Sequence, residues 1–222
     1  MRRTWIAALG LIIVVSGCGS VGPTVPPEMP SPSVAASGAS STTGPAELTE
    51  GIEPLAAGVY TRTAFRPPVT FAVGDGWYAG TLSDGLVEVG KTPDDADAVA
   101  VQLALIRSAF GADGTSSEVA SAEAAAAALR SNPGVTIVEE SASQVGGLEG
   151  LNVTVEHQGG QPTPLFDVSD GTLSIDPGER RWISLFDTPD GVLAIMVAGS
   201  VPDWERALTE AEPVLESIVV GS

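Results

Sequence analysis

The amino-acid sequence predicts an α+β fold, in which two helices cover a mainly antiparallel sheet that follows a disordered tether. From about Ile52 onward, short apolar runs are separated by Asp-Gly turn signals, a pattern typical of antiparallel strands. The run Val192–Val197 is apolar at every position, as in a strand whose two faces are both buried. Two segments, near residues 115–130 and 203–218, space their apolar residues as amphipathic helices do.

Length and charge limit the class of protein. The chain has 222 residues, of which 43% are hydrophobic and 17% charged, which suffices for one well-buried domain. Its 10 Lys and Arg stand against 28 Asp and Glu, a net charge of −18. We therefore expect no nucleic-acid partner, because attraction to phosphate needs a cationic surface. A single cysteine excludes a disulfide framework and a cysteine-based zinc cluster, and a single histidine argues against most histidine-centred catalysis. We expect no metal or cofactor.

The N-terminus has the pattern of an export signal. Arg2 and Arg3 precede the apolar run Trp5–Val15, which is too short for a membrane-spanning helix of about 20 residues. A basic start followed by a short apolar run is typical of a secretory signal peptide. We therefore predict that residues 1–17 are a signal peptide, with the Sec and Tat export routes both left open.

The end of this segment, Val15-Ser16-Gly17-Cys18, resembles the lipobox of bacterial lipoproteins. The resemblance implies that a signal peptidase cuts before Cys18, which then carries a diacylglycerol thioether and usually an amide-linked acyl chain. Cys18 is thus the predicted lipidation site. The predicted location is the extracytoplasmic face of the cell membrane, with the membrane as partner through this lipid.

A tether follows the anchor. Residues Gly19–Ala46 contain six Pro, six Ser, four Gly, three Thr and a single charge, Glu28. Such a composition cannot bury enough apolar surface to offset the entropy of ordering, so we predict a disordered tether over residues 18–51 and one globular domain over 52–222. The mature chain, with eight basic and 28 acidic residues, has a net charge of −20, so an anionic leaflet should repel it.

The predicted domain consists mainly of strands joined by tight turns. Apolar residues alternate with others at Val69, Phe71 and Val73, at Val99, Val101, Leu103 and Leu105, and at Leu151, Val153 and Val155. The clearest hairpin pairs Arg181–Phe186 with Val192–Val197. Five Asp-Gly pairs supply the positive φ angles of the turns: Asp75-Gly76, Asp84-Gly85, Asp113-Gly114, Asp170-Gly171 and Asp190-Gly191.

Two helices complete the prediction. Thr115-Ser-Ser-Glu118 has the pattern of a capping box that opens a helix ending at Arg130, before Asn132-Pro133-Gly134. Its predicted inner stripe is Val119, Ala122, Ala126 and Leu129. The second helix begins near Asp203, and Pro213 should kink or divide it. Its predicted buried face is Trp204, Leu208, Ala211, Leu215 and Ile218.

The order of three motifs resembles small extracytoplasmic domains of the PsbP/Mog1-like family, over roughly Tyr60 to Val220. These motifs are Phe71-Ala-Val-Gly-Asp-Gly-Trp77, then Val145-Gly-Gly-Leu-Glu-Gly150, then a closing hairpin and a helix that ends in Glu216-Ser217-Ile218. The resemblance implies a sandwich of sheet and helices with a scaffold, ligand-binding or assembly role. It implies no catalytic residue.

No set of catalytic residues emerges from the sequence. The chain has no Gly-x-Ser-x-Gly motif, and its one imidazole, His157, is interpreted as a polar cap on the rim of the core. Asp94, Asp95 and Asp97 are interpreted as a loop or helical turn, because no calcium loop with a distal Glu surrounds them. Asp167–Gly171 is interpreted as a turn.

The leading hypothesis is a non-enzymatic accessory or binding module of the cell envelope. Two alternatives stay open. An envelope hydrolase would use two of the many acidic residues, buried together in a deep cleft. A carrier of a small apolar ligand would need an enclosed cavity between sheet and helix. The ligand, the protein partner and the oligomeric state are left open, as is whether Trp77 or Trp182 lines a cleft, since tryptophan also fills core volume.

Overall fold

The computed structural model describes residues 44–49, 53–91 and 98–221. The predicted signal peptide, the lipidation site Cys18 and the tether up to residue 43 lie outside the described residues, as do Asp94, Asp95 and Asp97. The corresponding expectations therefore stay predictions. Within the described ranges, no helix is long and apolar enough to cross a membrane.

Sixteen strands and two α-helices make up the described part of the chain. The strands, in chain order, are β1 (Ala46–Glu47), β2 (Glu53–Pro54), β3 (Gly58–Arg62), β4 (Val69–Val73), β5 (Trp77–Leu82), β6 (Leu86–Lys91), β7 (Val99–Ile106), β8 (Ser108–Phe110), β9 (Ser116–Glu118), β10 (Val135–Val145), β11 (Leu148–His157), β12 (Thr163–Val168), β13 (Gly171–Ile175), β14 (Glu179–Thr188), β15 (Gly191–Ser200) and β16 (Val219–Val220). The helices are α1 (Ala122–Ser131) and α2 (Trp204–Ser217), and a 3-10 turn, Val201–Asp203, leads into α2.

The strands form three sheets. The central sheet has eight strands in the order β10-β11-β14-β15-β7-β6-β5-β2, and its pairings are antiparallel. The second sheet is β1-β3-β4-β16 and the third is β13-β12-β8-β9. In the second sheet β1 pairs in parallel with β3, and the neighbouring Leu48 is only 2% exposed. Residues 46–48, which the sequence analysis assigns to the tether, thus lie against the domain.

Strand β15 separates two hydrophobic cores. Leu193 and Ile195 belong to the core that includes α2 and the second sheet, and we call this side of the central sheet the α2 face. Val192 and Ala194 belong to the core that includes α1 and the third sheet, on the α1 face. Successive side chains of a strand point to opposite faces, so an all-apolar strand needs cover on both sides. The prediction that both faces of this strand are buried is confirmed.

The predicted α+β fold class is wrong. The domain is mainly β, because two smaller sheets share with α1 and α2 the covering of the central sheet. The sequence hides these sheets for a physical reason. Strands β8 and β9 have three residues each, and Ser116–Glu118 is polar throughout, so neither shows the apolar alternation that marks a half-buried strand.

The start of the first predicted helix is also wrong. Ser116–Glu118 pairs with β8 as a strand instead of opening a helix. Helix α1 begins at Ala122, after Ser121, whose side chain accepts a hydrogen bond from the Ala124 amide. The Asp187 carboxylate accepts a second one from the Ala122 amide, at 2.7 Å, so a residue of β14 satisfies a free end of the helix. The predicted end is confirmed, since Asn132 caps the helix.

The predicted turns and long strands agree with the structure. Arg181–Phe186 pairs with Val192–Val197 as predicted. The pairing continues over the full length of β14 and β15. Each of the five Asp-Gly pairs lies where one strand ends and the next begins, and Gly171 and Gly191 are themselves the first residues of β13 and β15. Four of their glycines have positive φ angles: Gly76, Gly114, Gly171 and Gly191. Helix α2 runs from Trp204 to Ser217 without a break, so Pro213 does not divide it, and the alternative of a kink stays a prediction.

Helix α2 approaches β15 closely at Gly199. A Cβ atom on Gly199 would lie 2.7 Å from the Cβ atom of Ala207. Neither atom can rotate away, because each is fixed to a backbone. We predict that Gly199→Ala lowers the free energy of unfolding by about 1–3 kcal/mol. The matched control is Gly74→Ala, where no atom lies within 4 Å of the added Cβ.

Urea unfolding of the two glycine variants measures the difference. The control should change stability by no more than about 0.5 kcal/mol. Equal effects of the two substitutions would contradict close packing of α2 on β15.

Asp167 joins β12 to its neighbouring strands. Its carboxylate accepts hydrogen bonds from Thr172 Oγ1 at 2.7 Å and Ser108 Oγ at 2.8 Å. The Thr172 bond is the main cause of a pKa of Asp167 below the ordinary value. A carboxyl whose pKa is lowered by folding adds stability above its unfolded pKa, about 3.9, and this stability is lost as the pH falls through the folded pKa.

We predict that Thr172→Val raises the pKa of Asp167 toward its ordinary value. The loss of stability with falling pH should then begin at a higher pH than in the wild type. Titration of the Asp167 carboxyl carbon by NMR measures the shift directly. An unchanged pKa in the variant would show that the Thr172 bond does not stabilise the carboxylate.

Candidate functional site

The tryptophans of the domain differ in exposure. Trp77 and Trp204 are 3% and 5% exposed and belong to the core on the α2 face. Each is also contacted by a cation, Lys91 over Trp77 and Arg180 over Trp204, at 5.7 and 5.6 Å from the ring centres. Trp182 is only partly buried. Of the two tryptophans considered for a cleft, Trp77 therefore fills core volume, whereas Trp182 lines a groove.

The groove forms because α2 covers only part of the α2 face. The helix packs on β15, β7 and β4, and its buried residues are Trp204, Ala207, Ala211 and Val214. Leu208 and Leu215, predicted to be in the buried face, instead lie beside it and are partly buried. The inner stripe therefore follows spacings of three, four and three from Trp204, and small alanines bring the helix close to the sheet.

We call the space between this side of α2 and β14 the α2 groove. It has a volume of about 260 Å³ and is lined by Trp182, Glu205, Leu208, Thr209, Glu212 and Leu215. Five of these residues recur at helical spacing along α2, so they form one continuous wall. Trp182 extends from β14 as the opposing wall. The result is an apolar floor of one indole and two leucines below an acidic rim.

The rim carboxylates are unpaired in the described part of the chain. Glu205 and Glu212 are exposed and make no ion pair there. The cations near α2 are engaged on another side of the helix, where Glu210 pairs with Arg206 at 3.1 Å and Lys91 at 3.6 Å. The groove therefore has a negative edge whose carboxylates form no ion pair with any described residue.

A polar cluster continues the α2 face next to Trp182. The hydroxyls of Ser143 and Ser184 are 2.6 Å apart, and Asn152 Nδ2 donates to Ser184 Oγ at 3.3 Å. Thr154, directly opposite Trp182 in the strand register, donates to Asn152 Oδ1 at 3.4 Å. Ser184 is fully buried and Asn152 is 4% exposed. These hydrogen bonds offset the cost of burying polar groups beside an apolar wall, and they fix the strand that carries Trp182.

Arg180 contacts the first residue of α2. Its guanidinium forms an ion pair with Glu156 on β11 and lies over the Trp204 ring. It thereby connects β11, β14 and α2. Because Arg180 is neutralised by Glu156, it leaves the rim negative.

The other candidate residues do not gather into a site. His157 Nε2 lies 2.7 Å from the Gln161 carbonyl oxygen at the end of β11. The turn predicted over Asp167–Gly171 is confined to Ser169 and Asp170, since Asp167 belongs to β12 and Gly171 begins β13. Among the described residues no Asp or Glu is buried, so the paired buried carboxylates of the hydrolase hypothesis are not found there. The same residues contain no group of three His, Cys, Asp or Glu that could hold a metal ion.

A second groove lies between α1 and β9. It has a volume of about 390 Å³, and its walls are small side chains of β8, β9 and α1, with Asp113 and Glu118 at the edge. Like the α2 groove it opens to solvent, whereas the space between the central sheet and each helix is filled by buried side chains. The enclosed cavity of the carrier hypothesis is therefore not found at these two interfaces.

Sequence reasoning missed the acidic rim and misplaced the leucines. A signal was present in the seven-residue spacing, because Glu205 and Glu212 recur with the same period as Leu208 and Leu215. An apolar stripe wider than the core requires, bordered by like charges, indicates a helix with a second contact surface. Helix α2 has two neighbouring stripes, one with Ala207 and Ala211 and one with Leu208 and Leu215. The sheet on which the helix packs determines which stripe faces the core.

No family model matches the chain, and no curated protein matches it either. The solved structures that are similar to the chain at low sequence identity include the following two. The cyanobacterial PsbP (CyanoP) of Synechocystis sp. PCC 6803 is 12% identical, with a TM-score of 0.42 over 78% of this chain and 97% of its own. LpqN of Mycobacterium tuberculosis, involved in cell envelope biogenesis, is 13% identical, with a TM-score of 0.42 over 78% of this chain and 91% of its own. Likeness at this level does not establish membership of a family.

The different surroundings of two tryptophans give a stability prediction. Trp77→Ala should lower the free energy of unfolding by about 3–5 kcal/mol, because it empties a packed core. Trp182→Ala should lower it by less, about 2 kcal/mol, because the indole already borders solvent. Urea unfolding of both variants measures the contrast. Comparable losses for the two variants would mean that Trp182 is a core residue and does not line an accessible groove.

Proposed function

We propose that the protein is a lipid-anchored accessory module on the extracytoplasmic face of a bacterial cell membrane, where it binds a partner through the α2 groove. The observation that carries the anchoring is Val15-Ser16-Gly17-Cys18 directly after a short apolar run with a basic start. Acyl chains on Cys18 would hold the chain at the membrane, since two chains anchor firmly where one binds weakly.

The α2 groove supports the binding role. A partly buried indole and two partly buried leucines leave apolar surface in water that the fold itself does not cover. Tryptophan is one of the residue types enriched among those that dominate binding energy at interfaces. An accessory module needs such a surface and needs no catalytic group.

The charge of the mature chain supports a position above the membrane. With eight basic and 28 acidic residues, the chain is repelled by anionic lipid headgroups. A tether rich in Pro, Ser and Gly lets the domain remain away from this surface while the lipid stays inserted. The groove is then available to a partner in the envelope.

Labelling with an alkyne fatty acid in a bacterial host with an intact lipoprotein pathway tests the anchor. We expect the wild-type chain to incorporate the label and to begin at Cys18 in intact-mass measurements. Cys18→Ser should abolish the label, because serine lacks the thiol that forms the thioether. The matched control is Ser20→Ala, two residues downstream, which should keep both label and cleavage.

Two results would contradict the anchoring proposal. One is incorporation of label by the Cys18→Ser variant, which would place the acyl chain elsewhere. The other is an unlabelled wild-type chain that retains residues 1–17. Retention in the membrane fraction is not used as the measure, because an uncleaved apolar segment would also keep the variant there.

A further inference from the structure

We propose that the α2 groove binds a cationic amphipathic helix of another protein, and this inference rests on the proposed function as a binding module. The occupant is defined by two features that run parallel along α2. One is the apolar line of Leu208 and Leu215 facing Trp182, and the other is the acidic line of Glu205 and Glu212.

The spacing of the groove residues matches a helix laid along it. Seven residues of α-helix span about 10.5 Å, so each line offers two contact points separated by about two turns. A partner helix with apolar residues at positions i, i+3 or i+4, and i+7 presents the same repeat on one face. Its apolar residues would cover Trp182 and the leucines, and its Lys or Arg residues would lie opposite the rim.

The unpaired rim specifies the charge of the partner. Like charges along one side of a helix destabilise it, and α2 adds Glu216 four residues after Glu212 on the same side. Within the described ranges none of these three carboxylates makes an ion pair. A cationic partner would relieve this repulsion, whereas an acidic one would add to it.

The chain itself does not supply this partner. The segment from Gly19 to Thr43 contains no Lys or Arg. Of the ten Lys and Arg of the chain, Arg2 and Arg3 lie outside the described residues, and six of the remaining eight are buried or paired with Glu. The other two, Arg66 and Arg107, lie outside α1 and α2, so neither helix in the described part of a second copy is cationic. An anionic membrane surface would be repelled by the rim.

Titration calorimetry with synthetic peptides tests the proposal on the mature chain, residues 18–222, made soluble by Cys18→Ser. The probe is an amphipathic peptide of about 18 residues, five helical turns, with Leu on one face and Lys on the other. The control peptide has the same Leu pattern with Glu in place of Lys. We expect the Lys peptide to bind at least about tenfold more tightly than the Glu peptide.

Matched variants separate the groove from the general acidity of the protein. Glu205→Gln with Glu212→Gln should weaken binding of the Lys peptide about three- to tenfold. Glu118→Gln with Glu149→Gln removes the same charge from exposed positions outside the groove and should change binding by less than about twofold. Trp182→Ala should weaken binding at least about tenfold through lost apolar contact. Urea unfolding of each variant confirms that it is folded.

Three outcomes would overturn the inference: equal weakening by the two double variants, full binding by Trp182→Ala, or Trp182-dependent binding to vesicles of phosphatidylglycerol in place of the Lys peptide. The first would show diffuse charge attraction, the second a site outside the groove, and the third a lipid-surface occupant. None of them affects the labelling of Cys18, so failure of this inference is distinguishable from failure of the anchoring proposal.

Discussion

The fold depends on the burial of one strand on both of its faces. From Val192 to Gly199 every residue of β15 is buried, and alternate side chains enter two separate cores. A strand of this kind is stable only if a layer covers each side of the sheet, because its apolar side chains alternate in direction. The paired helix and small sheet on each face supply these layers. Without a disulfide, since the chain has a single cysteine, the stability of the domain rests on these two cores.

The α2 groove follows from the sizes of the layers. Strands lie about 4.8 Å apart, so the eight-stranded sheet is about 34 Å wide, whereas a helix with its side chains is only about 10 Å in diameter. Helix α2 and the second sheet cover β15, β7 and their neighbours, and β14 emerges beside the helix. Its residues on this face change accordingly from fully buried Phe186 to partly buried Trp182. The buried hydroxyl and amide groups of Ser184 and Asn152 bond to one another at this border, where apolar cover ends.

The parts of the fold that follow from local chemistry could be predicted from the sequence. Asp-Gly pairs mark turns because glycine adopts positive φ, and alternating apolar residues mark β4, β7 and β11 because each faces a core. The third sheet could not be predicted, since Ser116–Glu118 becomes a strand only through pairing with β8. The groove could be predicted in part. The sequence indicates that α2 is amphipathic, but the choice between Leu208 and Ala207 as inward residue is made by the close approach of the helix at Gly199, which leaves room only for a small side chain.

Affinity and selectivity of the α2 groove have different sources. Apolar contact with Trp182, Leu208 and Leu215 would supply most of the binding energy, because exposed ion pairs contribute at most about 1 kcal/mol each. An apolar surface alone, however, does not discriminate between a protein helix and a lipid layer. The carboxylates of Glu205 and Glu212 would supply that discrimination, since both acidic partners and anionic lipids would be repelled by them. In the proposed lipid-anchored protein, such a rim would keep the apolar floor available to a protein partner, and this would give a functional reason for a line of like charges that weakens α2 itself.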